Sequence, residues 1–249
     1  MEHLRFDLCC AARALYRAGL SAGIAGHLSI RVGEDRMLAN RFGPSFGTVT
    51  PDDVLLLDFD GHVLDGRGAV NDTIRLHGVI HKRRPEIAAI AHTHPPATVT
   101  LGALRIVPTV WDQEGCLLAD DVALVEEEYG GLASTEDRVA PFADALERRR
   151  AIVLPNHGAI TTGPSIKVAV LLMMTLEGMA ARHLSVAAAA RATGLTPTPI
   201  APEIAMRTRH ELDAVIAKHG AIDMVWSDLL TKLKQTDPEL FAARSVEAL

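Results

Sequence analysis

His92 and His94 close the apolar run Ala88-Ala89-Ile90-Ala91, and His157 follows Ala151-Ile152-Val153-Leu154-Pro155. If residues 88–94 form a strand, side chains alternate between faces, so His92 and His94 point to one side. Neutral imidazole is the commonest protein ligand for a divalent transition metal. Three histidines with one coordination position left open describe a catalytic site rather than a structural one. Histidine-only ligation suits Zn2+ or Mn2+ first, with Fe2+ or Co2+ as alternatives. Both histidine-bearing runs end where α/β sheets commonly bind ligands.

Two further histidines compete for that role. His77 and His81 share one face of an expected helix, the spacing of H-E-x-x-H, but Gly78 stands where that motif keeps its base. His81 is expected at the surface or behind the ligands, while His77 is open to either role. No dinucleotide, phosphate-loop or nucleophile-elbow motif occurs.

The elements that must carry these residues are legible in outline. Helical spacing runs from Leu4 to Ala18 and stops at Gly19. Alternation predicts a strand at 27–32 with a hairpin partner at 36–42, and short strand-like runs mark further strands at 54–57, 62–64, 87–91, 106–110, 122–126 and 151–154. A helix capped by Asp72 or Thr73 runs to Arg83, and Pro85 ends it. Other helices are expected from Pro95-Pro96 to Ala103, from Ser134 or Thr135 to Arg150, and from Pro164-Ser165 onward. Thr196 to Pro202 carries three prolines and reads as a linker, followed by helices at 203–218 and 221–234. Two domains result, residues 1–195 around the metal site and 196–249 as a linker with a C-terminal helical appendage.

Composition narrows the partners. With 4% aromatic residues and a net charge of −6, the chain lacks stacking surfaces and basic blocks, so no nucleic acid is expected. The run Val168 to Leu176 is too short to span a bilayer, so no membrane is expected and the run reads as a buried helix. Cys9, Cys10 and Cys116 form no disulfide framework, and the N-terminal residues lack the pattern of a signal peptide; a cytoplasmic setting is expected.

Four segments resemble the class II aldolase/adducin family. Gly26-His27-Leu28-Ser29 is similar to its G-N-x-S, and His77 to Ile87 to its H-x-x-I-[YH]-x-x-R-P-[DE]-[VI]. Ala89 to His94 is similar to its A-[VI]-x-H-T-H, and Asn156-His157-Gly158 to its N-H-G. Glu177 falls where the long helix of that family carries a glutamate. The resemblance covers residues 4–190. It implies an α/β fold, a three-layer αβα sandwich around a mostly antiparallel sheet. It also implies a metal held by His92, His94 and His157, and a homotetramer with sites between subunits. The family holds sugar-phosphate aldolases, a dehydratase, decarboxylases of hydroxylated aromatic acids, and adducin heads that lack the histidines.

Departures from the family pattern shape the expected reaction. Where its aldolases carry Ser-Ser-Glu, this chain has Asn71-Asp72-Thr73, and His27 replaces the signature asparagine. Threonine does not ionise near neutral pH, and Asp72 repels phosphate. Decarboxylation needs an electron sink and a later proton, but no base to begin. The leading expectation is therefore a metal-dependent lyase that decarboxylates a small hydroxy-carboxylate. Aldol cleavage, an oxygenase and a non-catalytic assembly module are the alternatives. Thr73, His27 and Glu114 are the candidate catalytic residues, with Glu114 standing in for the missing carboxylate. Arg75, Arg41 and Ser29 are the candidate substrate contacts, since an arginine fork matches a carboxylate. Tyr129 is a further candidate proton donor across a subunit boundary.

Overall fold

Eight strands form one sheet in the order β4-β3-β2-β1-β5-β8-β7-β6. They are β1 (His27–Val32), β2 (Arg36–Asn40), β3 (Val54–Asp58), β4 (Val63–Asp65), β5 (Ala89–Thr93), β6 (Val122–Leu124), β7 (Ala151–Leu154) and β8 (Gly158–Gly163). Every neighbouring pair is antiparallel except β6 and β7. The structure is a computed structural model that describes residues 1–21, 23–126, 131 and 135–246.

Strand periodicity sorts the core into two layers. Ala89, Ala91, Ala151, Val153 and Ala159 face helices α1 (Glu2–Arg17) and α5 (Ile166–Thr193). Ile90, Ile152, Leu154 and Ile160 face α2 (Arg75–Arg83) and α4 (Glu136–Leu146). The result is an αβα sandwich. His92 shares strand parity with Ile90, so it emerges on the α2 side. Small residues on the α1/α5 face let those helices lie close to the sheet, and Cys9 and Cys10 are fully buried there. Gly78 serves the same end on the other face: an added Cβ would sit 1.7 Å from the Phe59 carbonyl oxygen. That explains a glycine where a metalloprotease helix keeps its glutamate.

Several elements differ from the sequence expectations. Residues 158–163, Gly-Ala-Ile-Thr-Thr-Gly, form β8, which local pattern does not announce. The strand arises because β5 and β7 pair with it on both edges. Residues 106–110, expected as a strand, are irregular. Pro108 lacks a donor, and the Thr109 amide donates instead to His183 Nδ1 at 3.2 Å. The helix expected from residue 72 begins as a short 3-10 turn, Asp72–Ile74, with the Asn71 side chain accepting from the Thr73 amide. Helix α5 is long and apolar enough to cross a membrane by length and composition, far longer than its apolar run. Its buried face belongs to the core shared with α1, the signature of a core helix.

Beyond the 196–201 linker come α6 (Pro202–His219), α7 (Ala221–Thr236) and an unexpected α8 (Pro238–Val246). Trp226, Leu233 and Leu240 enter the same core as α1. Asp237, fully buried between α7 and α8, accepts hydrogen bonds from Arg13 and Arg17 of α1. The segment expected as an appendage is thus bound to the sandwich through both apolar and ionic contacts.

Candidate metal centre

β5 ends at Thr93, which delivers His92 from the strand and His94 from the residue just beyond it. Pro95 and Pro96 then start α3 (Pro96–Ala103). His157 arrives on the tight β7–β8 turn, whose amide donates to the Leu154 carbonyl at 3.1 Å. Asn156 takes a left-handed φ of 55° there, which asparagine tolerates better than most residues. Gly158 lets this turn press against β5. A Cβ at that position would lie 2.4 Å from the Thr93 carbonyl oxygen and 2.6 Å from His94 Cδ2.

The three rings form a nearly equilateral triangle. Centroids are 5.1 Å apart for His92 and His94, 4.8 Å for His92 and His157, and 5.0 Å for His94 and His157. One nitrogen from each lies within 4.8 Å of the other two. His92 Nδ1 donates to the Ala159 carbonyl at 3.0 Å, which fixes its tautomer and leaves Nε2 as the lone pair. His94 Nε2 is buried with no hydrogen-bond partner. Burial first, and neighbouring histidines second, hold His92 well below the ordinary histidine range and take His157 to about 4, while burial lowers His94. Neutral imidazoles, an orphaned lone pair and an open triangle together fit a divalent cation.

Glu177 braces this arrangement from α5. Its carboxylate accepts from the Ala97 and Thr98 amides and from the Thr98 hydroxyl, all at 2.8 Å. A carboxylate at a helix N-terminus is favourable, and here it fixes the segment following His94. Among the described residues it binds that helix start rather than joining the histidine cluster.

His27 joins the trio from β1. Its backbone pairs with His92, and the two rings lie 4.7 Å apart. Its Nε2 is 2.8 Å from Thr73 Oγ1, which brings Thr73 alongside. Other candidates fare differently. Ser29 is fully enclosed, its hydroxyl taken by His77 and His81, so it is not presented to a substrate. His81, expected at the surface or just behind the ligands, is instead fully buried in contact with Ser29 and Phe59. Arg75 is exposed on the first turn of α2, close in sequence to Thr73. Arg41 is bound through Nε to Asp53 at 2.6 Å, which commits one edge of its fork. Glu114 is exposed and lines a separate apolar cavity of about 600 Å³ with Met174, Gly178, Ile216 and Val225. It is not brought to the histidines, because the 3-10 turn Glu114–Leu118 packs against α5 and α6. Tyr129 lies outside the described residues.

Burial gives His81 a titration signature of its own. Its pKa is pushed down to about 3, chiefly by desolvation and secondarily by Arg31. Below pH 6.5 the unfolded chain takes up a proton that the folded chain refuses. Its stabilising share is therefore full above pH 6.5 and lost on acidification, by up to about 1.4 kcal/mol per pH unit. Urea midpoints measured at pH 7 and pH 5 should differ less in His81→Phe than in the parent; equal differences would refute this.

Comparison with known proteins agrees with this fold. The family model for the class II aldolase and adducin N-terminal domain matches residues 6–184. A 3,4-dihydroxyphthalate decarboxylase of Arthrobacter keyseri is 31% identical, over 74% of this chain and 79% of its own length. A 5-methylthioribulose-1-phosphate/5-deoxyribulose-1-phosphate aldolase of Rhodospirillum rubrum is 30% identical, over 72% of this chain and 80% of its own. The solved L-fuculose 1-phosphate aldolase of Glaciozyma antarctica superposes with a TM-score of 0.75 at 31% identity, covering 85% of this chain and 82% of that one. A match across most of the sandwich, by sequence and by fold, means that this chain belongs to the class II aldolase and adducin family.

Proposed function

We propose that the protein is a metal-dependent carbon–carbon lyase that decarboxylates a small hydroxy-carboxylate, such as a hydroxylated aromatic acid. The observation that carries this reading is the polar surrounding of the trio. His27 and Thr73 stand beside His92, and the candidate ligand group among the described residues contains three histidines and no carboxylate. A divalent cation held by His92, His94 and His157 supplies a Lewis acid that accepts electron density from the substrate oxygens. Zn2+ or Mn2+ is the ion proposed, since neutral imidazoles suit both.

The chain's own residues then have limited tasks. Arg75, exposed at the start of α2, offers a two-pronged contact to a carboxylate. Thr73, with His27 behind it at 2.8 Å, meets a substrate oxygen by a hydrogen bond. The bond to the departing carboxylate breaks with its electrons left on the substrate carbon, carbon dioxide leaves, and one proton replaces it there. No group in the chain has to abstract a proton first, which suits a site whose polar neighbours are a neutral imidazole and a hydroxyl. Glu114 has no part in this scheme. The reading includes a homo-oligomer, a tetramer with sites between subunits. Exposed Phe42 and Leu104 offer apolar surface for such contacts. Three buried free cysteines support a cytoplasmic setting.

Treatment with a chelator should abolish turnover and added Zn2+ or Mn2+ should restore it. A panel of ortho-hydroxy aromatic acids should release carbon dioxide, whereas ketose 1-phosphates should yield no aldehyde. Turnover indifferent to chelation would overturn the lyase reading. Aldehyde release without carbon dioxide would replace decarboxylation by aldol cleavage, and oxygen consumption would point to an oxygenase.

A further inference from the structure

Behind the trio runs a buried chain of hydrogen bonds, of which the scheme above uses only the Thr73 end. From the surface inward, Thr73 Oγ1 stands 2.8 Å from Asn71 Oδ1, a contact in which only the hydroxyl can donate, and 2.8 Å from His27 Nε2. His27 Nδ1 meets His77 Nε2 at 2.8 Å, and His77 Nδ1 meets Ser29 Oγ at 2.7 Å. Ser29 Oγ meets His81 Nε2 at 3.0 Å, and His81 Nδ1 ends on the Ile87 carbonyl at 3.2 Å. His77, Ser29 and His81 are fully buried, and His27 is 2% exposed.

Both ends of this chain can only accept. Ile87 offers a carbonyl. Asn71 Oδ1 also receives the Thr73 amide at 3.0 Å, so its side chain cannot be turned to present its nitrogen. Between these ends are six links, each needing one hydrogen. Two hydroxyls and three neutral imidazoles supply five. These rings are enclosed, and a charged ring in this interior would lose its hydration, so each is counted as neutral. One link must therefore stay empty, and its place decides every tautomer along the line.

An empty link at the Ile87 end would face a bare ring nitrogen against a carbonyl 3.2 Å away, both enclosed in the core. At the other end Asn71 is half-buried and Thr73 is 7% exposed, so a ligand can fill the gap. An unmet acceptor is least costly where something else can meet it. All five hydrogens then point toward Ile87. His27 carries its hydrogen on Nδ1, Thr73 donates to His27 Nε2, and Asn71 Oδ1 and Thr73 Oγ1 are left as two acceptors side by side.

We propose that Ser29 and His81 are positioning residues that fix the His27 tautomer, leaving beside the metal centre an acceptor pair, Asn71 and Thr73, that takes a hydroxyl hydrogen from the substrate. This rests on the lyase reading for its ligand and names a feature of it: the substrate brings a free hydroxyl, and a phosphate dianion, which only accepts, is disfavoured.

Two distant substitutions test the arrangement, because each closes the hydrogen deficit. Ser29→Ala leaves three links and three hydrogens on the Asn71 side of the break. His81→Phe leaves four of each, and its ring retains the stacking on Phe59. In either variant the hydrogens reverse, so that His27 carries its own on Nε2 and Thr73 donates to Asn71. Heteronuclear NMR of the zinc-loaded protein, with labelled histidines and the His27 signal assigned through His27→Gln, should show Nδ1–H in the parent and Nε2–H in both variants. Ser29→Thr, which retains the hydroxyl, should behave as the parent. Binding of 3,4-dihydroxybenzoate should exceed that of at least one of its two monomethyl ethers by about tenfold or more in the parent, and the ratio should shrink in both variants. The same tautomer in parent and variants, or a doubly protonated His27 at neutral pH, would overturn the proposal. The tautomer readout needs no turnover, so failure of the lyase reading would leave it standing, and the reverse also holds.

Discussion

Replacing His94 with alanine should abolish stoichiometric metal binding and lower turnover by more than about a hundredfold, the upper range for losing a mere outer partner of a ligand. The ring lies within 5.1 Å of both its neighbours, and its Nε2 is buried without a partner. Nothing else in the described structure satisfies that atom, and a cation held by the three rings would satisfy it. The truncation leaves two imidazoles, too few to hold an ion while keeping positions open for a substrate. The fold should survive, because His94 follows β5 and lies outside its ladder. Metal content by elemental analysis should fall from one ion per chain to near zero while the circular dichroism spectrum is unchanged. Retention of a full equivalent would remove His94 from the site. His92→Ala is a less clean experiment, since it also strands the Ala159 carbonyl.

Asp237→Ala is expected to cost about 3–5 kcal/mol of stability while leaving the metal centre intact. Burial by itself would raise this carboxyl, but hydrogen bonds from Arg17, Thr236 and Arg13 outweigh it and hold the group below the usual carboxylate range. Its partners lie at 2.6 to 3.1 Å. Without the carboxylate, the Arg13 guanidinium remains only 5% exposed, with Glu239 as its remaining anionic partner. Breaking one member of a buried pair costs more than the pair contributes, because the survivor keeps its desolvation penalty. The affected contact joins α1 to the α7–α8 junction on the sheet face opposite α2. Urea unfolding should therefore shift strongly, with metal stoichiometry at low urea unchanged. A shift below about 1 kcal/mol would reduce the clasp to the standing of a surface ion pair.

The two experiments probe opposite faces of one sheet, and the sequence spoke to those faces unequally. The apolar runs at 88–91 and 151–154 were enough to set strands with histidines at or just beyond their ends. Pro95-Pro96 marked the start of α3, and Ser165 caps α5 through the Val168 amide, as the sequence suggested. These are short-range effects of backbone geometry, carried by residues a few positions apart. β8 was invisible because its glycine- and threonine-rich run becomes a strand only between two partners. Residues 106–110 had the composition of a strand but join no ladder, and the Val110 carbonyl accepts instead from the Ile200 amide at 3.1 Å. The trio required β5 and the β7–β8 turn to meet, with Gly158 allowing the approach.

What the chain determined by itself was which residues could bind a metal and on which strand ends they would stand. What only the tertiary structure decided was each side chain's company. Arg41 went to Asp53, Glu114 to a distant cavity, and Ser29 and His81 into the interior behind His27. Periodicity is a property of neighbours along the chain, whereas a hydrogen-bond partner about fifty residues away is chosen by strand register and helix packing. The pairing of His27 with His92 is such a choice, and it places a line of imidazoles and hydroxyls beside the metal centre that no local pattern could announce.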